Sequence, residues 1–558
     1  MDKLAAFSKS EVLGSRSKNE YESKPICELP GLVRPDTPII KQTQLQPPQS
    51  PQPQVQPQQQ LIQNSLIQNE KTINKIQQKP REVKVLAYQN KSLLDLQQTY
   101  NKSIENININ LPDTNPLVKT YQNDSKKLRV LFCGTYPIGQ SNGYSRVVYY
   151  ISKYLGRHQD DLQFTVYGFQ NYKQTAGSEI RKDIPSNIIL HDALATEEPR
   201  RHGFGEKEIA TFLRKNPQDI VIIFNDMVVT GSLVQTIVNE LTPYERSKFL
   251  LVSYMDQVYP YQKKVYMDML NTYFDAIIAF TPYWKEIAYK IGIKKSMPIY
   301  VFPHGFDHKL YYPINQKIAR YYFNYGIEDF MVLNLNRNQP RKRWDTAIIA
   351  WIEFVERHYQ VNITKKLTKT DCKINKYTSR PVKLVIGTMV DGYWNLSDII
   401  ENEVKFRDVP LDYVKNTIVT IQNPQALSDR DVNILYNACD TGITSSDGEG
   451  FGLCSFEQAA LGKPHITSYV GGIREFLNEN ISTIIKPSVN IYLDNKSNGI
   501  GGVAELCNPT EFAEAFWKYL SNPELAEKQG YRARQHILTN YKWENLVDYL
   551  YNRILVNI

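Results

Sequence analysis

The sequence predicts an α/β protein in which two Rossmann-like domains face a cleft, preceded by a disordered Gln/Asn-rich tail. Three observations lead there. From Leu128 onward, short apolar runs bounded by polar or turn residues recur, as buried parallel strands require. Stretches of helical period separate them, so the repeating unit is βαβ. The alternation breaks once, at "VFPHGFD", whose Pro and Gly mark a crossing loop, and then restarts.

In the first domain, residues 126–303, the strands are LRVLFCG, FTVYGF, DIVIIFND, FLLVSYMD and AIIAFT. Val147, Tyr150, Ile151 and Tyr154 set the buried face of its first helix. The second domain, residues 304–535, supplies the strand FMVLNLN, the helix DTAIIAWIEFVERHY, and the strands KLVIG, TIVTI, TGITS and HITS. From Ala526 the pattern is helical and carries no strand, and residues 536–558 are expected to form a helix that packs back on the first domain. Two open parallel sheets in tandem leave a cleft beyond the carboxyl ends of their strands, where ligands of such sheets bind.

Residues 1–125 differ in kind: Gln, Asn, Pro and Lys dominate, as in "KQTQLQPPQSPQPQVQPQQQ". Such a segment has too little apolar surface to offset its ordering entropy and reads as a disordered, low-complexity tail. The whole chain of 558 residues, with 42% hydrophobic residues and 37 Tyr, has ample material for a core. It has no run of eighteen apolar residues, and its start, MDKLAAFSKSEV, lacks the basic head and apolar stretch of a signal peptide, so a cytoplasmic protein is expected. The six cysteines show no Cys-x-x-Cys or Cys/His ligand spacing and read as buried apolar residues. The +8 charge is mild and demands no nucleic acid. A peripheral contact with a membrane through a basic face stays open. The basic insertion "NITKKLTKTDCKINKYTSRP" reads as a solvated loop that lacks an aromatic or helical face.

One stretch carries most of the chemistry: "SSDGEGFGLCSFEQAALGKP", Ser445 to Pro464. A glycine-rich turn running into a helix receives phosphate, because free amides and the positive end of the helix dipole converge there. Glu449 inside that turn repels phosphate and suits hydroxyl groups, since a carboxylate only accepts hydrogen bonds. The pattern asks for a ligand that is anionic at one point and hydroxyl-rich beside it, such as a nucleotide sugar. Gly450, Phe451, Gly452 and Leu453 are candidate donor-binding residues, with the amides of Gly452, Leu453 and Cys454 placed to cap a phosphate. Glu457, in the first turns of the helix, suits vicinal ribose hydroxyls.

The segment "DTGITSSDGEGFGLCSFEQAALGKPHITSYVGGIREFL" resembles the donor-site signature of retaining glycosyltransferases of the GT-B fold, glycosyltransferase family four (group 1). Glu449 and Glu457, with seven residues between them, match its paired-glutamate motif. "LNRNQPRKRWDTAI" resembles the family's Arg-plus-Lys segment, with Arg337 and Lys342 five positions apart. "GTYPIGQSNGYSRVVYY" resembles its amino-terminal glycine loop, which implies donor contacts at Gly139 and Gly143. The resemblance covers Leu128 to the end. It implies that Glu449 binds the transferred sugar and Glu457 the ribose. Fixed cations at Arg337 and Lys342 would stabilise the charge that develops on a departing diphosphate. The flanking Arg341 and Arg343 read as solvent-facing or phosphate-helping and receive no role.

The sequence departs from the family pattern where members carry a histidine after the fourth strand of the first domain: that register falls on Asp256. Asp256 is taken as the fourth catalytic candidate, to bind a sugar hydroxyl or shield developing positive charge, with a capping role as the alternative. Asp226 also ends a strand at the cleft, and His304 lies at the domain crossing. "SDRD", Ser428 to Asp431, superficially matches a metal-binding Asp-x-Asp, but its spacing is that of a helix capping box. No metal site and no cofactor beyond the nucleotide sugar as co-substrate is expected.

The expected activity is transfer of a sugar from a nucleoside diphosphate donor to a glycan, lipid-linked or protein acceptor, without a metal and, as the resemblance implies, with retention. A double displacement through a carboxylate stays open, as does a phosphorylase-like or epimerase-like enzyme on the same architecture. From a different class, a catalytically silent sugar-binding or scaffold protein is the alternative.

Overall fold

The computed structural model describes residues 127–558 apart from 140–141, 172–180, 196–203, 369–370, 422–426 and 494–498. The expected tail lies outside the described residues.

Seven parallel strands form the first sheet: β1 (Leu128–Thr135), β2 (Leu162–Phe169), β3 (Ile189–Asp192), β4 (Ile220–Asn225), β5 (Leu250–Met255), β6 (Ala276–Ala279) and β7 (Ile299–Val301). Their order is β3-β2-β1-β4-β5-β6-β7. The second sheet has β8 (Phe330–Asn334), β9 (Val382–Ile386), β10 (Ile418–Thr420), β11 (Thr441–Thr444), β12 (His465–Ser468) and β13 (Thr483–Ile485), in the order β10-β9-β8-β11-β12-β13. Both are therefore doubly wound, with the order reversing between β1 and β4 in one and between β8 and β11 in the other. A crevice opens at each reversal, outside the carboxyl ends of those strands. The loops that leave the neighbouring strands β8 and β11 carry the Arg/Lys segment and the paired glutamates, so strand order brings those two motifs together, and the glycine loop leaves β1 at the switch point of the other sheet.

All ten predicted strands form. The central ones are buried on both faces, and β4 shows six buried residues in succession, which is why they read as continuous apolar runs. Three further parallel strands escaped the sequence reading because they are too short for a run: β3 is four residues on an edge with no buried member, and β7 and β13 are three residues each. An antiparallel pair, β14 (Val489–Tyr492) and β15 (Val503–Leu506), was also unforeseen.

The helices that position the site are α1 (Gly143–Leu155), α2 (Met227–Glu240), α3 (Pro282–Lys290), α4 (Trp344–Asn362), α5 (Asp429–Ala438), α6 (Leu453–Ala460), α7 (Pro509–Ser521), α8 (Pro523–Asn540) and α9 (Trp543–Tyr549). Ser428 caps α5 in the expected box: its hydroxyl accepts from Asp431 N at 3.1 Å, while its own N–H donates to Asp431 Oδ2 at 3.1 Å.

The chain crosses between the domains twice. It leaves β7 through Phe302–Asp307 and returns after α8, where Phe306 N donates to Tyr541 O at 2.6 Å. Helix α8 belongs to the second domain, with Arg534 Nη1 donating to Ala460 O of α6 at 2.7 Å. The part that packs on the first domain begins at Trp543, whose ring stacks on Tyr150 of α1 at 5.2 Å. None of the helices in the described residues is long and apolar enough to cross a membrane.

Trp543 is 2% exposed and fills the space over Gly305 between α1 and the first crossing. Trp543→Ala is expected to lower stability by about 3–5 kcal/mol through the cavity it leaves. Urea unfolding of the full chain measures this.

Candidate active site

The turn Ser445–Gly452 joins β11 to α6, and Glu449 within it is 3% exposed. Burial alone raises its carboxyl pKa, but Lys342 and then Arg341 outweigh that and hold it at about 2. Lys342 Nζ donates to Oε1, Ser446 Oγ donates to the same oxygen at 2.7 Å, and Arg341 Nη1 donates to Oε2 at 2.9 Å. Lys342 is itself buried, its pKa lowered by desolvation and by Arg341, and it also donates to Asn336 Oδ1 at 3.1 Å. Both cations stand on a short 3-10 turn, Pro340–Lys342, that leaves β8. Arg343 follows in the left-handed region at φ 47° and turns the chain into α4.

The first domain closes on this turn. Tyr259 OH donates to Asp447 Oδ1 at 2.9 Å, and Trp284 Nε1 of α3 donates to Gly450 O at 2.7 Å. A side chain at Gly450 would place its first carbon 2.1 Å from Asp256 Oδ1, so only glycine admits that carboxylate. Gly452 takes φ 96°, a left-handed conformation that starts α6. The Phe451 ring packs in an aromatic cluster with Phe456, Phe476 and His304.

Asp256 follows β5 and receives a hydrogen bond from Tyr144 OH of α1. Desolvation raises its pKa to about 6 against the lowering effects of Tyr144 and Arg341. Asp226, by contrast, caps α2, its Oδ1 accepting from Val228 N at 2.9 Å and Val229 N at 3.0 Å. His304 sits in an aromatic box with Phe280 at 4.5 Å and Phe451 at 4.8 Å, and neither ring nitrogen has a hydrogen-bond partner. Burial lowers its pKa to about 3, which keeps it neutral.

Glu457 is 4% exposed and faces α1, where Arg146 Nη1 donates to Oε1 and Tyr436 OH donates to Oε2 at 3.1 Å. Arg146 Nη2 also donates to Asp429 Oδ1 at 3.3 Å, and Arg181 Nη2 reaches the same oxygen at 3.5 Å. Two first-domain cations thus meet two second-domain acids. Beside them the glycine loop ends at Gly143, where an added side chain would lie 3.0 Å from Leu453 at the start of α6. Gly139 takes φ 70° earlier in that loop.

Carboxylates held apart by cations, a helix amino terminus and a cleft at two facing switch points make a polar site for a ligand that carries both anionic and hydroxyl groups. Residues 415–536, which contain both glutamates, match the family model of glycosyl transferases group 1. The chain is similar in structure to sucrose-phosphate synthase from Thermosynechococcus elongatus, with TM-score 0.55 and 15% identity over 77% of this chain and 100% of that one. It is also similar to HepE from Anabaena in complex with UDP and glucose, with TM-score 0.53 and 12% identity over 76% of this chain and 98% of that one. A glycosyltransferase from Rickettsia africae gives TM-score 0.52 and 18% identity over 77% of this chain and all 100% of its own. The fold is that of the GT-B glycosyltransferases. No curated protein sequence matches the chain.

Within the GT-B architecture, the predicted residues sort by position. Glu449 is paired with Lys342, Asp256 lies against Gly450 in the same turn, and Gly452 and Leu453 begin α6. Glu457 lies one turn along α6, Gly143 of the first-domain loop lies against Leu453 at the start of that helix, and Gly139 lies earlier in the loop. Arg337 is exposed on the loop after β8. Arg341, left without a role by sequence reading, holds Glu449 directly. Tyr144, Arg146, Arg181 and Asp429 were also missed. Their signal was weak, because each lies on a helix or loop whose partner is more than a hundred residues away. Among the described residues, no group of three His, Cys, Asp or Glu side chains is placed to hold a metal ion.

Two outcomes are expected. Arg146→Met leaves Glu457 and Asp429 buried with less counter-charge, and breaking such a pair costs about 3–5 kcal/mol. Combining it with Glu457→Gln should cost less than the sum of the single changes, measured by chemical unfolding. Second, the Glu449 pKa is lowered from 4.5 to about 2, so its contribution is complete above pH 4.5 and is lost as pH falls toward 2. Asp256, raised from 3.8 to about 6, acts with the opposite sign, its share declining as pH rises across that window. Melting temperature against pH should therefore fall less steeply below pH 4.5 in Glu449→Gln than in the parent.

Proposed function

We propose that the protein is a retaining, metal-independent glycosyltransferase that moves a sugar from a nucleoside diphosphate donor to an acceptor hydroxyl. The observation that carries this is the burial of Glu449 among Lys342, Arg341 and Ser446, beside the start of α6 and across from Asp256. A carboxylate so held keeps one acceptor site, on Oε2, for a sugar hydroxyl, and the two cations beside it support stabilisation of the charge on a leaving diphosphate.

In this reading the α6 amino terminus and the loop of Gly139 and Gly143 hold the diphosphate, with Arg337 reaching it from the loop after β8. Glu457 takes the ribose hydroxyls once Arg146 has withdrawn. A donor phosphate oxygen accepts the proton of the attacking hydroxyl on the same face of the sugar, and domain closure excludes water. Positive side chains supply the charge stabilisation that a divalent cation gives elsewhere, which is the support for metal independence. The donor base is best sought first as uridine, since the structurally similar HepE binds UDP and glucose. The acceptor is a glycan, lipid-linked or protein hydroxyl, and the setting is cytoplasmic, with a peripheral membrane contact through a basic face.

One observation favours a silent sugar-binding or scaffold protein instead: Arg146 already engages Glu457, so the ribose position is filled by the chain itself. The full chain incubated with UDP-, GDP- and ADP-sugars separates the two. The transferase reading expects slow donor hydrolysis with at least one of them, falling by about a hundredfold or more in Lys342→Ala, as for loss of one transition-state donor. Binding without turnover of any donor, unchanged by Lys342→Ala, supports the silent reading.

A further inference from the structure

Asp256 is an acid of the first domain that touches the turn carrying Glu449. Its Oδ1 lies against Gly450, and its Oδ2 receives the hydroxyl hydrogen of Tyr144. Tyr144 is held in turn from two sides. It stands in the first turn of α1, whose start is fixed by Asn142 accepting from Ser145 N at 2.9 Å, and its ring meets Phe224 of β4 edge-on at 5.2 Å. The hydroxyl therefore approaches Asp256 from a rigid base. One carboxylate oxygen is committed to the protein and the other is aimed across the domain boundary at the turn that carries Glu449.

We propose that Tyr144 is the positioning residue of the transfer step: it fixes the Asp256 carboxylate, in its ionised form, so that Oδ1 faces the reacting sugar carbon and its hydroxyls. This rests on the transferase reading and adds to it a residue that touches no substrate. No proton or covalent bond is exchanged with the sugar. The ionised carboxylate accepts a hydroxyl hydrogen and offsets the positive charge that develops as the bond to the diphosphate breaks.

The charged surroundings make that ionisation conditional. Tyr144 from α1, Asp226 at the end of β4, Arg341 from the 3-10 turn and Glu449 from the donor turn all act on Asp256. Burial works most strongly against the charge, and Asp226 and Glu449 add to it. The Tyr144 hydrogen bond is the largest opposing influence, followed by Arg341. Without that hydrogen bond the carboxyl holds its proton to higher pH.

The test is Tyr144→Phe in the full chain, which keeps the ring on Phe224 and removes only the hydroxyl. Donor turnover in the parent should show an acid limb near pH 6 that is absent in Asp256→Asn. In Tyr144→Phe that limb should move up by about one pH unit, a tenfold loss of the ionised fraction at the low-pH end with recovery toward the parent rate above the limb. A uniform loss at every pH with the limb unmoved would show a merely structural tyrosine and overturn the proposal. So would a limb that survives in Asp256→Asn. A second measurement needs no turnover: the infrared band of the protonated carboxyl that disappears in Asp256→Asn, followed against pH. If the band titrates at the same pH in parent and Tyr144→Phe, the proposal is wrong. If it shifts while no UDP-, GDP- or ADP-sugar is turned over, Tyr144 orients Asp256 but the transferase reading fails.

Discussion

A carboxylate enclosed by two cations fixes the centre of this molecule. Glu449 is taken out of water at the boundary between two sheets, where an unpaired charge is costly, and Lys342 and Arg341 reverse the sign of that cost. The pairing sets the path of the turn from β11 to α6 and the path of the 3-10 turn from β8, since each is tied to the other through side chains. Lys342 is held by Asn336 as well as by Glu449, so the cation is preorganised before any ligand arrives. The first domain then presents Asp256, Tyr259 and Trp284 to a surface that is already rigid.

The glycines of the turn serve that approach. At Gly450 the neighbour is the carboxylate of Asp256, and at Gly448 it is the ring of Tyr259. These contacts come from the opposite domain. The composition that marks a phosphate loop is also the composition that lets two domains meet without side chains between them. A second line of polar contacts, Arg146 and Arg181 against Glu457 and Asp429, runs beside the first. These polar contacts sit beside a continuous apolar core that includes Phe280 and Trp284 of the first domain and Phe451, Phe456 and Phe476 of the second, with His304 packed on Phe451 and Trp543.

Much of the fold was legible because the central strands are buried on both faces, and burial on both faces leaves a continuous apolar run in the sequence. The edge strand β3 has no buried member and left none. The paired glutamates and the Arg/Lys segment were legible because each is local, within one turn and its helix. What links them was not. Nothing near Arg341 in the chain tells that it, more than Arg337, bonds Glu449, because that depends on how the 3-10 turn winds. Asp429 read as one member of a helix-start motif, and Ser428 and Asp431 do form the capping box, yet Asp429 itself turns toward Arg146. Tyr144 and Arg146 lie in a helix whose buried pattern is explained by its own sheet; Tyr144 turns to Asp256 within that domain, and Arg146 reaches across to Glu457 and Asp429, neither of which periodicity shows.

The two strands of chain that join the domains lie side by side, with Phe306 paired to Lys542 as a parallel bridge. A double tether at one spot removes sliding and leaves only a swing about a line through that spot, as a door turns on its post. The gap would widen in proportion to distance from Phe306, so traffic of any guest molecule passes at the far rim. His304, two residues from the post, packs between Phe280 of one domain and Phe451 of the other.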